Sequence, residues 1–236
     1  MHDLNSFVTL TYDDKHLPDD YSVNVRTLQL FFKRLRKSLP HKIRYFACGE
    51  YGDLNLRPHY HALIFNYSPN DKILYKKSNN HNLYTSSSLS EQWTFGNAWL
   101  GSVTFQSAGY VARYVVKKQY GDLVASHYTR THPLTGELVR VQPEFCTQSR
   151  RPGIGAAWFD KYRGDCFPSD FLIVDEKRIS VPRYYSLKLA ELELERVKRE
   201  RKRKALKHRS DQTPERLRVR EAVQISRVQR LERTLK

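Results

Sequence analysis

The chain opens on a pattern of strand type. Residues 7–13 (FVTLTYD) are rich in β-branched and aromatic side chains and predict a strand at the start of the core. Asp13, Asp14 and Pro18 mark the loop that follows. Asn24 then stands where a helix N-cap belongs, and Leu28, Phe31, Phe32 and Leu35 repeat at the spacing of one helical face until Pro40 ends the run. Residues 43–50 (IRYFACGE) and 59–66 (HYHALIFN) read as two strands joined by the turn-rich GDLNLRP, a hairpin with a long loop.

The polar stretch from Asn66 to Ser87 reads as loop or insertion, and Ser88-Leu89-Ser90-Glu91 has capping-box spacing that predicts a short helix. Residues 101–107 (GSVTFQS) predict another strand, with Ser107 as the cap of a helix from Ala108 to about Gln119. The order β-α-β-β-α-β-α implies an α+β fold, a central antiparallel sheet flanked by helices. Beyond Gly121 the pattern weakens. FLIVDEKRISV (171–181) reads as a hairpin turning at Asp175-Glu176-Lys177, and from Ser186 the composition shifts to Leu, Glu, Lys and Arg. Between Arg196 and Arg209 stand nine Lys or Arg against the single acid Glu200. This predicts a basic helical tail over 186–236, interrupted by Pro214, after a folded domain over 1–185.

Charge narrows the partners. A formal net charge of +16 over 236 residues and a pI near 9.8 point to a polyanion, nucleic acid or an anionic membrane surface. No segment approaches the roughly 20 apolar residues of a membrane span, and the N-terminus lacks the basic and apolar regions of a signal peptide. The cysteines, Cys48, Cys146 and Cys166, are odd in number and widely spaced, which disfavours a disulfide framework or a structural zinc site. A soluble protein of the reducing cytoplasm is the expectation.

Candidate chemistry concentrates in two places. In His59-Tyr60-His61, strand alternation puts both imidazoles on one face, where they could grip one divalent metal; the alternative is a pair of partly buried histidines. Hairpin pairing would bring Glu50 close, and a carboxylate beside two imidazoles suits Mn²⁺ or Mg²⁺ with positions open to phosphate oxygens. Asp13 and Asp14 are fallback ligands. In the helix from Ala108, Val111, Ala112 and Val115 form an apolar stripe, whereas Tyr110, Tyr114 and Lys117 fall on the opposite face. Two phenols one turn apart could serve as nucleophiles or pack under a loop. A phenol titrates near pH 10, so attack on phosphorus needs a polarising metal, and Lys117 or Lys118 would favour phenolate. Both lysines also suit a helix C-terminus. Arg57 and the basic turn Arg150-Arg151-Pro152-Gly153-Ile154-Gly155 are candidate contacts to a DNA backbone; the alternatives are a loop cap for Arg57 and a simple surface turn.

The succession FVTLTYDD, RPHYHALIF and AGYVARYVVKK resembles the three motifs of HUH endonucleases of the replication-initiator class. More narrowly, with VQPEFCTQSRRPGIG, FPSDFLIV and PRYYSLKL, it resembles the replication initiation proteins of the microviruses, the gokushovirus branch above all, over about residues 5–190. The resemblance implies the HUH nuclease fold, origin nicking through a covalent 5′-phosphotyrosine, and closure of a displaced single-stranded circle. It carries His59 and His61 over as metal ligands, with Glu50 as a third, and Tyr110 and Tyr114 as nucleophiles. Such proteins are expected to carry closely spaced cysteines ahead of the first motif, and this chain begins just before it.

The reading is a metal-dependent strand nickase and transferase acting on single-stranded or melted origin DNA in a bacterial host. Without a P-loop sequence in these residues, unwinding and synthesis fall to host helicase and polymerase. A relaxase or transposase with the same chemistry and a non-catalytic basic nucleic-acid binder are the rivals. The basic tail should add salt-sensitive, sequence-independent affinity by counterion release. Removing residues 191–236 should flatten the dependence of DNA affinity on salt without moving the cut; an unchanged slope would assign the tail to another partner.

Overall fold

The computed structural model describes residues 1–53, 55–77, 82–113, 121–132 and 135–230. Its strands are β1 (Asn5–Tyr12), β2 (Arg44–Tyr51), β3 (Pro58–Phe65), β4 (Ile73–Lys77), β5 (Asn82–Thr85), β6 (Gly96–Ser102), β7 (Thr129–Thr131), β8 (Leu138–Arg140), β9 (Phe145–Gln148), β10 (Phe171–Val174) and β11 (Lys177–Ser180). The helices are α1 (Val25–Ser38), α2 (Ser87–Ser90), α3 (Phe105–Arg113), α4 (Val124–His127), α5 (Ala156–Cys166), α6 (Arg183–Ser186), α7 (Glu191–Lys207) and α8 (Pro214–Gln229). The described residues divide into two compact units, 1–154 and 155–230.

The first unit is α+β. Its seven-stranded sheet runs β4-β5-β6-β1-β3-β2-β9, antiparallel throughout. One face of the sheet is covered by α1. Asn24 caps this helix as the sequence predicts, its Oδ1 accepting from the amides of Arg26 at 2.7 Å and Thr27 at 3.3 Å. Leu28, Phe31, Phe32 and Leu35 bury the helix against Val8, Leu10, Tyr45, Tyr60 and Ile64, with Phe32 stacked on Tyr45 at 3.7 Å between centroids. The other face carries a smaller cluster of Phe7, Cys48, Leu63 and Val111, under α3.

Three local expectations give way to tertiary contacts. The stretch 66–87 contains the β4–β5 hairpin, which extends the sheet beyond β6. The predicted strand over 101–107 lies earlier, as β6, because Ala98 and Leu100 pair with Leu10 and Val8 and enter the core there. Gly96 permits this start: its φ is +150°, and a Cβ would come within 2.4 Å of the Thr11 carbonyl oxygen. The short helix is capped by Ser86 rather than Ser88. The Ser86 hydroxyl accepts from the Leu89 amide at 3.2 Å, while Asp71 takes the Ser88 amide and both hydroxyls. Those bonds lower the Asp71 carboxyl to a pKa of about 2.

Helix α3 likewise starts earlier than predicted. Thr104 and Ser107 exchange side-chain-to-amide bonds of 3.1 and 2.8 Å, a reciprocal cap that makes Ser107 an inner member of the first turn. The end predicted for this helix, with Tyr114, Val115, Lys117 and Lys118, lies outside the described residues.

In the second unit the predicted hairpin forms as β10–β11, with Asp175 and Glu176 both at positive φ in the turn. Phe159, Cys166, Val181 and Leu189 make its core, and α7 packs on it through Leu194 and Val197. Arg201 of α7 forks onto Asp170 at 2.6 and 2.9 Å. The basic helix is therefore seated on its own small core, and Lys202→Gln, Lys204→Gln and Lys207→Gln test its charge without uncovering Leu194 and Val197. Pro214 begins α8, with Thr213 accepting from the Arg216 amide.

Tyr60 ties sheet and helix together. Its buried hydroxyl lies 2.8 Å from that of Tyr12 and accepts from the Asn24 amide at 2.9 Å. Burial first, then the neighbouring Tyr12, raises its pKa above the usual phenol range. Tyr60→Phe keeps the shape and removes that acceptor, and should cost about 1–3 kcal/mol. Urea unfolding checks this; an unchanged midpoint would deny Tyr60 the role.

Candidate metal centre

β3 is an internal strand, and its alternation sends Tyr60 to the α1 face and His59 and His61 to the other. The registers complete the site. Glu50 on β2 lies directly opposite His59, while Thr9 on β1 and Cys48 on β2 lie opposite His61. Glu50 Oε1 is 3.0 Å from His59 Nε2 and 2.9 Å from His61 Nε2. The ligand atoms of Glu50, His59 and His61 all lie within 4.8 Å of one another, and among the described residues this is the group that could hold a metal ion.

Burial is graded across the trio. Glu50 is 2% exposed at its side chain, His61 8% and His59 18%, so the site opens on the His59 side. A carboxylate buried this deeply requires a compensating charge. Burial alone would raise its pKa; hydrogen bonds from His59 and His61, and their charge, outweigh that and hold the carboxyl well below the ordinary carboxylate range. Glu50 is thus an anion at neutral pH.

The outer contacts favour metal ligation. His59 Nδ1 lies 3.0 Å from the Arg57 carbonyl oxygen, to which only an N–H can donate, so in the neutral ring Nε2 carries the lone pair. That lone pair faces Glu50 Oε1, another electron-pair donor, and such an arrangement calls for a cation between them, a proton or a metal ion. His61 Nδ1 is held at 3.0 Å by the Thr9 hydroxyl. Both imidazoles therefore have the supporting bonds that orient metal-bound histidines. Two nitrogens and one carboxylate oxygen with an open side fit a divalent ion. Cys146, opposite Cys48 on β9, is held protonated: burial, then the charge of Glu50, pushes its thiol up to about 11.

Tyr110 reaches this centre. Its ring stands 5.3 Å from that of His61 and 6.3 Å from Phe7, between centroids. The helical face differs from the predicted one: α3 buries Ser107 and Val111, Ala112 is exposed, and Tyr110 is half-buried on the flank of this seam, against the Phe7 cluster. A short helix seated by so narrow a seam leaves its flanking residue beside the sheet.

Other candidates lie apart from the metal centre. Arg57 donates to the Tyr12 carbonyl at 2.9 Å and pairs with Asp14 at 2.8 Å. Asp13 takes the amides of Lys15 and His16 and the His16 ring, so neither aspartate joins the trio. Arg150 and Arg151 line a cavity of about 600 Å³ with Arg36, Lys42 and Arg44, and among the described residues no carboxylate lines it. Arg44 and Glu50 occupy opposite ends of β2, about 20 Å apart at roughly 3.3 Å per residue. Thr9, Arg36 and Arg44 gave no signal in the sequence, because tertiary packing alone brings Thr9 to His61 and gathers Arg36 and Arg44 around the cavity of Arg150 and Arg151.

An antiparallel sheet flanked by helices, with two histidines and a glutamate on neighbouring strands, is consistent with an HUH-like fold. Residues 5–119 match the family of replication-associated proteins of the ORF2 type. The chain is 37% identical over 196 residues to replication-associated protein VP4 of Bdellovibrio phage phiMH2K, covering 78% of this chain and 58% of that protein. It is 29% identical over 201 residues to replication-associated protein ORF2 of Spiroplasma virus 4, with the same coverage of 78% and 58%. It is also 36% identical over 126 residues to replication-associated protein ORF4 of Chlamydia phage 1, covering 50% of this chain and 31% of that protein. No solved structure matches the chain. The chain is thus similar to the replication-associated proteins of these phages and spans about 58% of the length of the first two relatives.

Mn²⁺ should raise the melting temperature of the wild-type chain, by about 2.7 kcal/mol of added stability at a hundredfold excess over Kd. The His59→Ala, His61→Ala double variant should lose that rise and its calorimetric binding while keeping its circular dichroism. Thr9→Val should weaken Mn²⁺ binding about 10- to 100-fold through the lost support of His61. Full Mn²⁺ affinity in the double variant would remove the metal centre.

Proposed function

We propose that the chain carries the strand-nicking and strand-joining activity of rolling-circle replication, with Tyr110 as a nucleophile. The carrying observation is the convergence of Glu50, His59, His61 and the Tyr110 ring on one face of the sheet. The names of the phage relatives favour replication over the transfer reactions of a relaxase or transposase. A buried carboxylate between two oriented imidazoles favours catalysis over simple binding.

In this reading Glu50, His59 and His61 hold a divalent ion, Mn²⁺ or Mg²⁺. When bound, the ion polarises a non-bridging phosphate oxygen and helps orient the scissile group. The Tyr110 phenol oxygen attacks phosphorus and forms the new P–O bond. The bond to the 3′ oxygen breaks, the 3′-hydroxyl leaves, and the strand stays joined to the protein through a 5′-phosphotyrosine. The phenol proton is released, and Lys117 and Lys118 favour phenolate by their charge. The linkage preserves the bond energy, so the reverse attack by a 3′-hydroxyl closes a circle.

A tethered enzyme needs a second nucleophile for that closure. Tyr114, four residues after Tyr110 in the sequence, is assigned this part; it lies outside the described residues. Arg57 and the cavity of Arg150 and Arg151 are assigned to the DNA backbone. The nuclease chemistry lies within residues 1–185, the basic stretch 186–236 adds affinity, and host helicase and polymerase open and copy the duplex.

A labelled single strand from the cognate circular genome, incubated with Mn²⁺, should give a covalent adduct on a denaturing gel. Tyr110→Phe and Tyr114→Phe singly should retain some first-round adduct and fail in repeated rounds, and the double variant should form none. Peptide mapping locates the modified residue. Persistence of the adduct in the double variant would remove the tyrosine mechanism, and absence of any adduct in the wild type would favour simple binding.

A further inference from the structure

The face of the sheet that carries the metal centre continues past β1. Trp99 on β6 lies directly opposite Thr9, which lies directly opposite His61. One row across three neighbouring strands therefore joins Trp99 to a proposed metal ligand, over two strand spacings or about 10 Å.

The hairpin beyond β6 adds to this row through a bulge. Leu74 pairs with Tyr84 and Lys76 with the adjacent Leu83, so Tyr75 is an extra residue in β4. Tyr84 pairs with Leu100 and packs on the α1 side of the sheet. Leu83, next in alternation, and Lys76 opposite it therefore share the metal face. Tyr75 lies on that face as well, its ring 4.4 Å from that of Trp99 at an interplanar angle of 51°. The bulge thus puts an aromatic and a cation side by side where regular alternation would allow one of them.

Nothing in the core accounts for this arrangement. Tyr75 is 62% exposed, Trp99 is half-buried, and every residue of β4 is exposed. The charge is one-sided: β4 and β5 contain Lys76 and Lys77 and no acid, and the nearby Asp71 is occupied by Ser86 and Ser88.

We propose that Trp99 and Tyr75 form a stacking site for an unpaired base of the DNA strand, with Lys76 beside its phosphate. This deepens the proposed function by giving the same face a subsite for its substrate. At the stacked rise of about 3.4 Å per nucleotide, about 10 Å spans at most three nucleotides. The stacked base is therefore a near neighbour of the scissile phosphate, and the site selects a locally single-stranded substrate, since a base paired in a duplex does not offer its face.

The test is equilibrium binding of the full chain, in chelator, to a short oligothymidylate and to an abasic strand of equal length. The wild type should prefer the strand with bases. Trp99→Ala should reduce its affinity for oligothymidylate about 5- to 150-fold, the range of one aromatic stack on a base, and leave the abasic strand unaffected. Trp99→Phe should restore much of the loss. Tyr75→Ala, at an exposed position, should lower the same preference even if Trp99→Ala fails to fold. The salt dependence should stay unchanged in all three, since no phosphate contact is altered. A base-to-abasic ratio equal to wild type in both Trp99→Ala and Tyr75→Ala would overturn the proposal, as would equal losses on the two strands. Because the strand is neither cleaved nor exposed to metal, failure of the nicking reaction leaves this result independent.

Discussion

Tyr60 is the residue on which the arrangement depends. It sits between the two histidines of β3, and its side chain is buried on the opposite face against α1. There its hydroxyl meets Tyr12 and the Asn24 amide that opens the helix. Strand alternation then leaves His59 and His61 no choice of face. A slip of one residue in β3 would bury both imidazoles among apolar side chains and turn the tyrosine away from its polar partners, Tyr12 and Asn24, on the α1 side. The register that satisfies the core is thus the one that brings Glu50, His59 and His61 together.

The two faces of the sheet divide stability from chemistry. The α1 face carries the larger hydrophobic cluster, while the cluster under α3 is small and interrupted by Glu50, His61 and Thr9. A buried carboxylate and two imidazoles cost desolvation, and they persist because each group has an oriented partner. Glu50 sits between both histidines, His59 leans on the Arg57 carbonyl, and His61 leans on Thr9. The phenol of Tyr110 joins from a helix rather than from the sheet, so its position depends on the packing of Val111 and Ser107.

Positive charge gathers in each of the two units. One group lines the cavity of Arg36, Lys42, Arg44, Arg150 and Arg151, at the far end of β2 from Glu50. Another lies on α7, where Arg201 is spent on Asp170 and the helix is held to a core of its own. Within the first unit the separation along β2 has a simple rationale: a guanidinium beside Glu50, His59 and His61 would oppose a divalent ion there, whereas one about 20 Å along the strand does so far less.

The sequence by itself determined whatever depends on near neighbours. Alternation in HYH places two imidazoles together, the spacing of Leu28, Phe31, Phe32 and Leu35 defines α1, Asn24 caps it, and DEK turns the β10–β11 hairpin. Composition alone carries the expectation of a polyanionic partner. Tertiary structure decided the rest, because register and cap choice depend on groups distant along the chain. Glu50 meets His59 through the β2–β3 hairpin that the sequence predicts, whereas Thr9 meets His61 only through the pairing of β1 with β3. Ser86 outcompetes Ser88 as a cap because Asp71 engages the Ser88 amide. The 66–87 stretch becomes sheet because β6 offers it an edge, and β9 becomes an edge strand because β2 offers it another. A strand whose partners are set by hydrogen bonds from distant segments leaves little trace in its own residues, whereas a helix or a histidine pair carries its periodicity with it.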